Sequence, residues 1–249
     1  MKATFLEIDS EVIGGTVVAF EDIQEDEPIE REERILAATH RPHYAICKLP
    51  LDRVQTIQRL EDLGFRFLET QLRLRARLSK SFAVEAFPYR FERVLSDGEL
   101  EPVLAIAGST FTEDRFSCDP WIPASASGLR YRRFVERSLR APDERVFRLV
   151  SEASGEVVAF KTHRITGPRE AQLLLGGVKT QYKAAGLGAM SEYFELNLLR
   201  EQGVRSLVTH VSAKNYPVIN LEVSGLGFRV ETAFAVLRKV YSRTATCAL

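Results

Sequence analysis

Residues 173–188 read LLLGGVKTQYKAAGLG, an order of residue types suited to holding an anion. The leucines running into Gly176, Gly177 and Val178 predict a buried strand. Glycines at its end mark a place where a strand bulges or another backbone comes close. Lys183, Ala184, Ala185, Gly186, Leu187 and Gly188 follow: one cation, small residues and two glycines. A helix is predicted at once after them, because Leu187, Met190, Phe194 and Leu198 recur at helical spacing and Gly203 sits where a C-cap belongs. The first amides of a helix have no internal partner, and the helix dipole puts partial positive charge there. Glycines without a Cβ let those amides approach a phosphate, and Lys183 adds charge at the same point. The pattern is neither the three-glycine dinucleotide fingerprint nor a P-loop, since no GK[ST] follows.

Other chemistry is sparser. His163 and His210 fall in predicted strands and are candidate bases facing a cleft, against the plainer reading of core or surface histidines. His40 and His43 lack the further ligands of a zinc site, so no metal is expected. Asn215 follows a predicted strand as the last residue of a V-x-x-x-N run from Val211 and is suited to capping the next helix. Residues 108–128, GSTFTEDRFSCDPWIPASASG, read as a long loop whose aromatics, Phe116 and Trp121 among them, either plug a core or wall a substrate pocket.

The chain that positions these groups has 249 residues, 45% of them hydrophobic and 27% charged, with zero formal net charge. That is an ordinary globular composition, and it gives no electrostatic support to nucleic-acid or membrane-surface binding. No apolar run approaches a membrane span. Cys47, Cys118 and Cys247 are far apart with no CxxC pair, which points to a reducing compartment and a cytoplasmic location.

In chain order, strands are predicted over 3–7 and 16–20, then a charged loop and helix start over 21–34, a strand over 44–49, a helix over 52–63 and a strand over 65–74. Residues 75–98 read as connective. A short helix over 99–107 and an amphipathic one over 129–140 precede a hairpin, with strands over 146–151 and 157–165 around Ser154-Gly155. After the glycine loop and its helix come a strand over 206–212, a helix from 217 and a last strand over 230–240. The tetrapeptide Leu63-Gly64-Phe65-Arg66 recurs as Leu226-Gly227-Phe228-Arg229, each copy after a helix and before a strand. Glu69-Thr70 recurs one residue out of step as Glu231-Thr232. A repeated β-α-β unit follows, with residues 1–95 as a half that has lost the glycine loop and 96–249 as the half that keeps it.

The glycine loop resembles motif A of the GNAT superfamily of N-acetyltransferases, [Q/R]-x-x-G-x-[G/A], with Lys183, Gly186 and Gly188 at its marked positions and Lys in place of the usual Gln or Arg. The resemblance implies an α/β fold with a mixed central sheet flanked by helices, the N-terminal half being a degenerate copy. It implies acetyl-CoA as cofactor, its pyrophosphate on the amides of Lys183, Ala184, Ala185, Gly186, Leu187, Gly188 and Ala189. It further implies a strand bulge near Gly177 and Val178 that aims an amide at the thioester oxygen, and Asn215 beside the cofactor. The family's usual Tyr acid stands seven residues after that Asn. Here the position is Glu222, which needs a raised pKa to give a proton, and Tyr216 is the substitute. Over the whole chain, Asp9-Ser10-Glu11, the strand-helix-LGFR unit, the Arg115-Phe116 to Asp119-Pro120 loop and the glycine-loop half resemble the dTDP-fucosamine acetyltransferase branch, which implies acetylation of a nucleotide-linked amino sugar. Phe116, Trp121 and His163, from the residue reading above, are the candidates for the substrate side. Another small amine, or an interaction module without catalysis, are the other readings. A homodimer is expected from exposed sheet edges.

Overall fold

The computed structural model describes residues 1–84, 86–111 and 115–241. Cys247 lies outside them. Among the described residues ten strands form one mixed sheet. The first half contributes β1 (Lys2–Phe5), α1 (Glu7–Ile13), β2 (Val17–Glu21), α2 (Ile29–His40), β3 (Tyr44–Pro50), α3 (Val54–Asp62) and β4 (Arg66–Arg77). Then follow β5 (Tyr89–Arg93), α4 (Asp97–Thr110), α5 (Arg115–Cys118), α6 (Ala124–Arg140), β6 (Glu144–Ser151), β7 (Val157–Gly167) and β8 (Glu170–Val178). A 3-10 turn (Thr180–Ala185), α7 (Leu187–Glu201), β9 (Ser206–Ser212), α8 (Tyr216–Asn220) and β10 (Arg229–Val240) complete the described elements.

The strand order is β1-β2-β3-β10-β4-β9-β8-β7-β6-β5. The last strand of the chain therefore lies between β3 and β4, inside the first half. The LGFR repeat accounts for this. Gly64 and Gly227 both take the left-handed conformation that ends a helix, with φ of 90° and 78°. Phe65 and Phe228 then drop into the core at the start of β4 and β10. The two strands pair antiparallel, each with one bulged residue, Leu68 in β4 and Glu231 in β10. The bulges fall at matching places in the repeat, five residues after Leu63 and Leu226.

Alternation along the strands divides the two faces. On one face Val18, Phe20, Leu49 and Leu237 pack under α2 and α3, and Leu74, Leu207 and Val211 pack under α7 and α8. On the other, Tyr44, Ile46 and Val236 meet α1, α5 and α6, and Val146 and Phe160 meet α4 and α6. Among the described residues no helix is long and apolar enough to cross a membrane.

Three expectations change. Residues 75–98 contain β5, which pairs with β6 and extends the second half's end of the sheet. The short helix α1 stands between the first two strands. The glycine-rich stretch 108–128 is largely helical, as the end of α4, α5 and the start of α6. Gly108 and Gly128 are small because those helices touch there: a Cβ on Gly128 would lie 2.5 Å from the Gly108 carbonyl oxygen.

Candidate functional site

The parallel strands β8 and β9 pair only through Glu170–Ser206, Ala171–Leu207 and Gln172–Val208. Beyond these, β8 continues to Val178 beside β7 and β9 continues to Ser212 beside β4. The strands therefore part, and β8 presents the unpaired edge of residues 173–178 to the gap. The first half's parallel pair, β2 with β3, stays paired from Val17–Tyr44 to Phe20–Cys47. Only the half with the glycine loop opens.

The bulge that accompanies the parting is at Leu174, between the pairs Leu173–His163 and Leu175–Thr162, and not at Gly177–Val178 as expected. The Leu175 amide donates to Thr162 Oγ1 at 3.0 Å there. Gly177 answers to packing instead, since a Cβ would come within 2.6 Å of Phe160 Cε1 and 3.2 Å of Thr110 Oγ1.

The turn after β8 is held from outside. Glu156, from the hairpin before β7, accepts from Tyr182 Oη at 2.7 Å and pairs with Lys179. Lys183 is exposed, and among the described residues no carboxylate lies within ion-pair distance of it. Gly186 has φ of 72° and links the 3-10 turn to α7. The first intrahelical bond of this end is Met190 N–H to Gly186 O at 3.1 Å, and among the described residues the Leu187, Gly188 and Ala189 amides have no backbone acceptor. Leu187 itself is buried in the core. Gly188 has no positive φ, and the nearest atom to an added Cβ is Val178 Cγ2 at 3.9 Å. The fold itself has room for a side chain at 188, so its absence keeps space in front of the amides. Ala184 and Ala185 close the 3-10 turn. These residues fit a pyrophosphate, and the unpaired edge of β8 fits an amide-bearing arm.

A charged cluster lies between the sheet and α7. Lys161 on β7 extends over Gly176, where a Cβ would fall 2.8 Å from its Cδ. Its ammonium pairs with Glu192 and lies 3.8 Å from Glu195 Oε2. Glu195 Oε1 is 2.9 Å from His163 Nδ1. Glu222, in the single π turn Leu221–Gly225 after α8, is 5% exposed, and its Oε2 has no hydrogen-bond partner. Burial pushes its carboxyl up to about 7; Lys161 pulls it down and Glu195 pushes it further up. The expected acid position thus holds a carboxyl that keeps its proton near neutral pH. Tyr216 is exposed on the first turn of α8. The Asn215 side chain caps that helix, accepting from the Val218 amide at 3.4 Å.

The three residues expected on the substrate side are elsewhere. His163 is fully buried, bonded to Glu195 and stacked on Phe147, so it faces no cleft. Phe116 is buried in the core against α1, β3 and α6, and Trp121 packs there on Tyr44, ring centres 5.5 Å apart. Of the two readings of that stretch, these aromatics plug a core. Lys161, Glu192 and Glu195 were not singled out by sequence, although acids at 192 and 195 share a helix face with Leu196 and Leu199, which is a legible anomaly.

No protein-family model and no curated protein sequence matches the chain. Solved structures do. A GCN5-related N-acetyltransferase from Sphaerobacter thermophilus superposes with TM-score 0.66 at 14% identity, over 96% of this chain and 76% of that one. A tandem GNAT protein from the clavulanic acid biosynthesis pathway gives 0.63 at 16%, over 90% and 75%. The chain has the GNAT fold. The GCN5-related glucosamine N-acetyltransferase region of a fungal multi-domain GH3 β-N-acetylglucosaminidase gives 0.64 at 11%, over 95% of this chain and 30% of that one. Coverage of nearly the whole chain by these structures makes a tandem arrangement of two GNAT-like halves plausible, with the opened strand pair in the second half.

Proposed function

We propose that this GNAT-fold protein is an acetyl-CoA-dependent N-acetyltransferase acting on a small amine. The observation that carries the reading is the parting of β8 from β9 directly ahead of a helix start with free amides, absent from the first half. Acetyl-CoA bound there supplies an activated acetyl group as a thioester, from which an attacking amine displaces a thiolate. Lys183 and the amides from Gly186 to Ala189 hold the pyrophosphate, with Asn215 alongside. The backbone edge at Gly177 and Val178 lines the arm and offers an amide for the developing oxyanion. Glu222 holds a proton at its carboxyl, raised to about 7, and gives it to the departing sulfur. Tyr216, exposed on the same helical segment, is the second candidate for that proton.

The acceptor is read as an amino sugar, nucleotide-linked by the sequence resemblance, and the glucosamine-acetylating region among the structural neighbours favours a sugar amine. A thiol-release assay with acetyl-CoA against amino sugars, nucleotide-linked amino sugars and simple amines tests this. Turnover confined to non-sugar amines replaces the sugar. Tight acetyl-CoA binding with no amine consumed, and no effect of Glu222→Gln, leaves a cofactor-bound interaction module.

A further inference from the structure

The sheet face opposite α7 and α8 carries a polar band that the reading above does not use. Leu72 and Leu74 on β4, and Leu207 and Val211 on β9, pack under α7 and α8. Gln71, Arg73 and His210 alternate with them and point the other way. Leu49 and Ala235 pack under α2 and α3, so Lys48 and Phe234 share that opposite face. Lys48 Nζ lies 4.3 Å over the Phe234 ring and donates to Gln71 Oε1 at 2.5 Å. Arg73 is opposite His210 in register, and His210 Nδ1 is 3.3 Å from Gln172 Nε2. Gln172 belongs to the last pair before β8 and β9 part, so the band runs up to the opening.

The charges in this band are out of balance. Among the described residues no carboxylate comes within 4 Å of Lys48 Nζ; Arg73 shares Glu231 with Arg75. Partial removal from water, then the Arg115 and Arg73 guanidiniums, push Lys48 down to about 8, against the opposing pull of the Glu69 carboxylate. Burial, then Lys48 and Arg73, push His210 down to about 4. Beside them Glu69 is buried, and its Oε2 lacks a hydrogen-bond donor. Glu69 stands on β4 next to Thr70, whose carbonyl receives the Ala213 amide at the end of β9. Lys48 and Glu69 both lie opposite Val236, from β3 and β4, so a cation without an ion pair and a carboxylate oxygen without a donor stand on the two sides of one strand.

We propose that this face is the acceptor subsite, and that the acceptor carries an anionic group, carboxylate or phosphate, as well as its amine. Lys48 and Arg73 take the anion, and Glu69 takes the amine. The inference rests on the acetyltransferase reading for the amine and on the band itself for the anion. Charge-assisted contacts of this kind change apparent affinity about tenfold or more each.

Ethanolamine, β-alanine and phosphoethanolamine share one amine arm and differ in the far group. The expected result is that kcat/KM with acetyl-CoA is at least about tenfold higher for β-alanine or phosphoethanolamine than for ethanolamine. Which of the two leads tells carboxylate from phosphate. Lys48→Gln with Arg73→Gln raises KM for the anionic member more than it lowers kcat and erases the preference, with acetyl-CoA affinity as the control for folding. Glu69→Gln raises KM for all three alike. Ethanolamine used as well as the others, or a preference that survives in the double variant, overturns the proposal. If none of the three is acetylated, thermal stabilisation by inorganic phosphate decides it: present in the parent protein and lost in the double variant upholds the anion site, and equal in both overturns it. Failure of acetyl-CoA to bind removes the acetyltransferase reading and leaves the phosphate measurement to judge the band.

Discussion

Arg66 lies directly opposite Arg238 in the ladder between β4 and β10, and Arg229 lies opposite Arg75. Arg66 and Arg229 are the same position of the LGFR repeat. The repeat thus meets itself across a pseudo-twofold axis through the middle of the sheet, and each copy sends its final strand into the other's neighbourhood.

Unfolding should follow from that interleaving. Phe65 and Phe228 are equivalent and both buried, so Phe65→Ala and Phe228→Ala should each cost about 3–5 kcal/mol in a denaturant titration. Both should move one common transition, and residues 1–95 alone should fail to fold, lacking β10 between β3 and β4. A folded 1–95 fragment by circular dichroism and proton NMR would sink the interleaved account.

Glu222 should impose the falling limb on the alkaline side of the rate profile. Its carboxyl titrates at about 7 in the folded protein, so the proton donor is present below that pH and lost as pH rises through it. Glu222→Gln should lower kcat by about 10²–10⁴ and remove that limb from the pH profile. Stability carries the same sign: the contribution of burying the protonated acid is present below the ordinary carboxylate range and lost as pH rises through about 7. A profile unchanged in the variant would move the acid to Tyr216.

Lys161 should tune Glu222 without touching either reactant. Its ammonium lowers the Glu222 carboxyl's pKa, so Lys161→Met should shift the Glu222 titration to higher pH, read by carbon NMR of the labelled carboxyl. It also removes the cation between Glu192 and Glu195, at a stability cost of about 3–5 kcal/mol. A downward shift contradicts the assignment.

Gly188→Glu should abolish acetyl-CoA binding in calorimetry while leaving the melting curve nearly unchanged. The added chain has room, with Val178 Cγ2 at 3.9 Å from its Cβ, and its charge opposes a pyrophosphate at the helix start. Retained affinity removes the phosphate assignment.

Much of this was legible from residues alone. The strand-turn-helix at 170–201, the final strands and the Asn215 cap follow from local periodicity and glycine placement, and those forces act between near neighbours. The family resemblance points to a bulge at Gly177 and Val178, whereas it lies at Leu174, because a bulge is decided by the partner strand's register, here Thr162 and His163. Phe116 and Trp121 were open between core and cleft because an aromatic's burial depends on which helix crosses it.

By itself the sequence determined the repeat, the anion-ready turn and the mixed helix-and-strand order, because each is written in spacing and in residues that tolerate few conformations. The tertiary structure alone decided that β4 and β10 interleave, that β8 leaves β9 after Gln172, and that Glu222 comes under the influence of Lys161 and Glu195. Those are long-range relations, and a side chain's charge state depends on the water and charges that distant segments remove or bring.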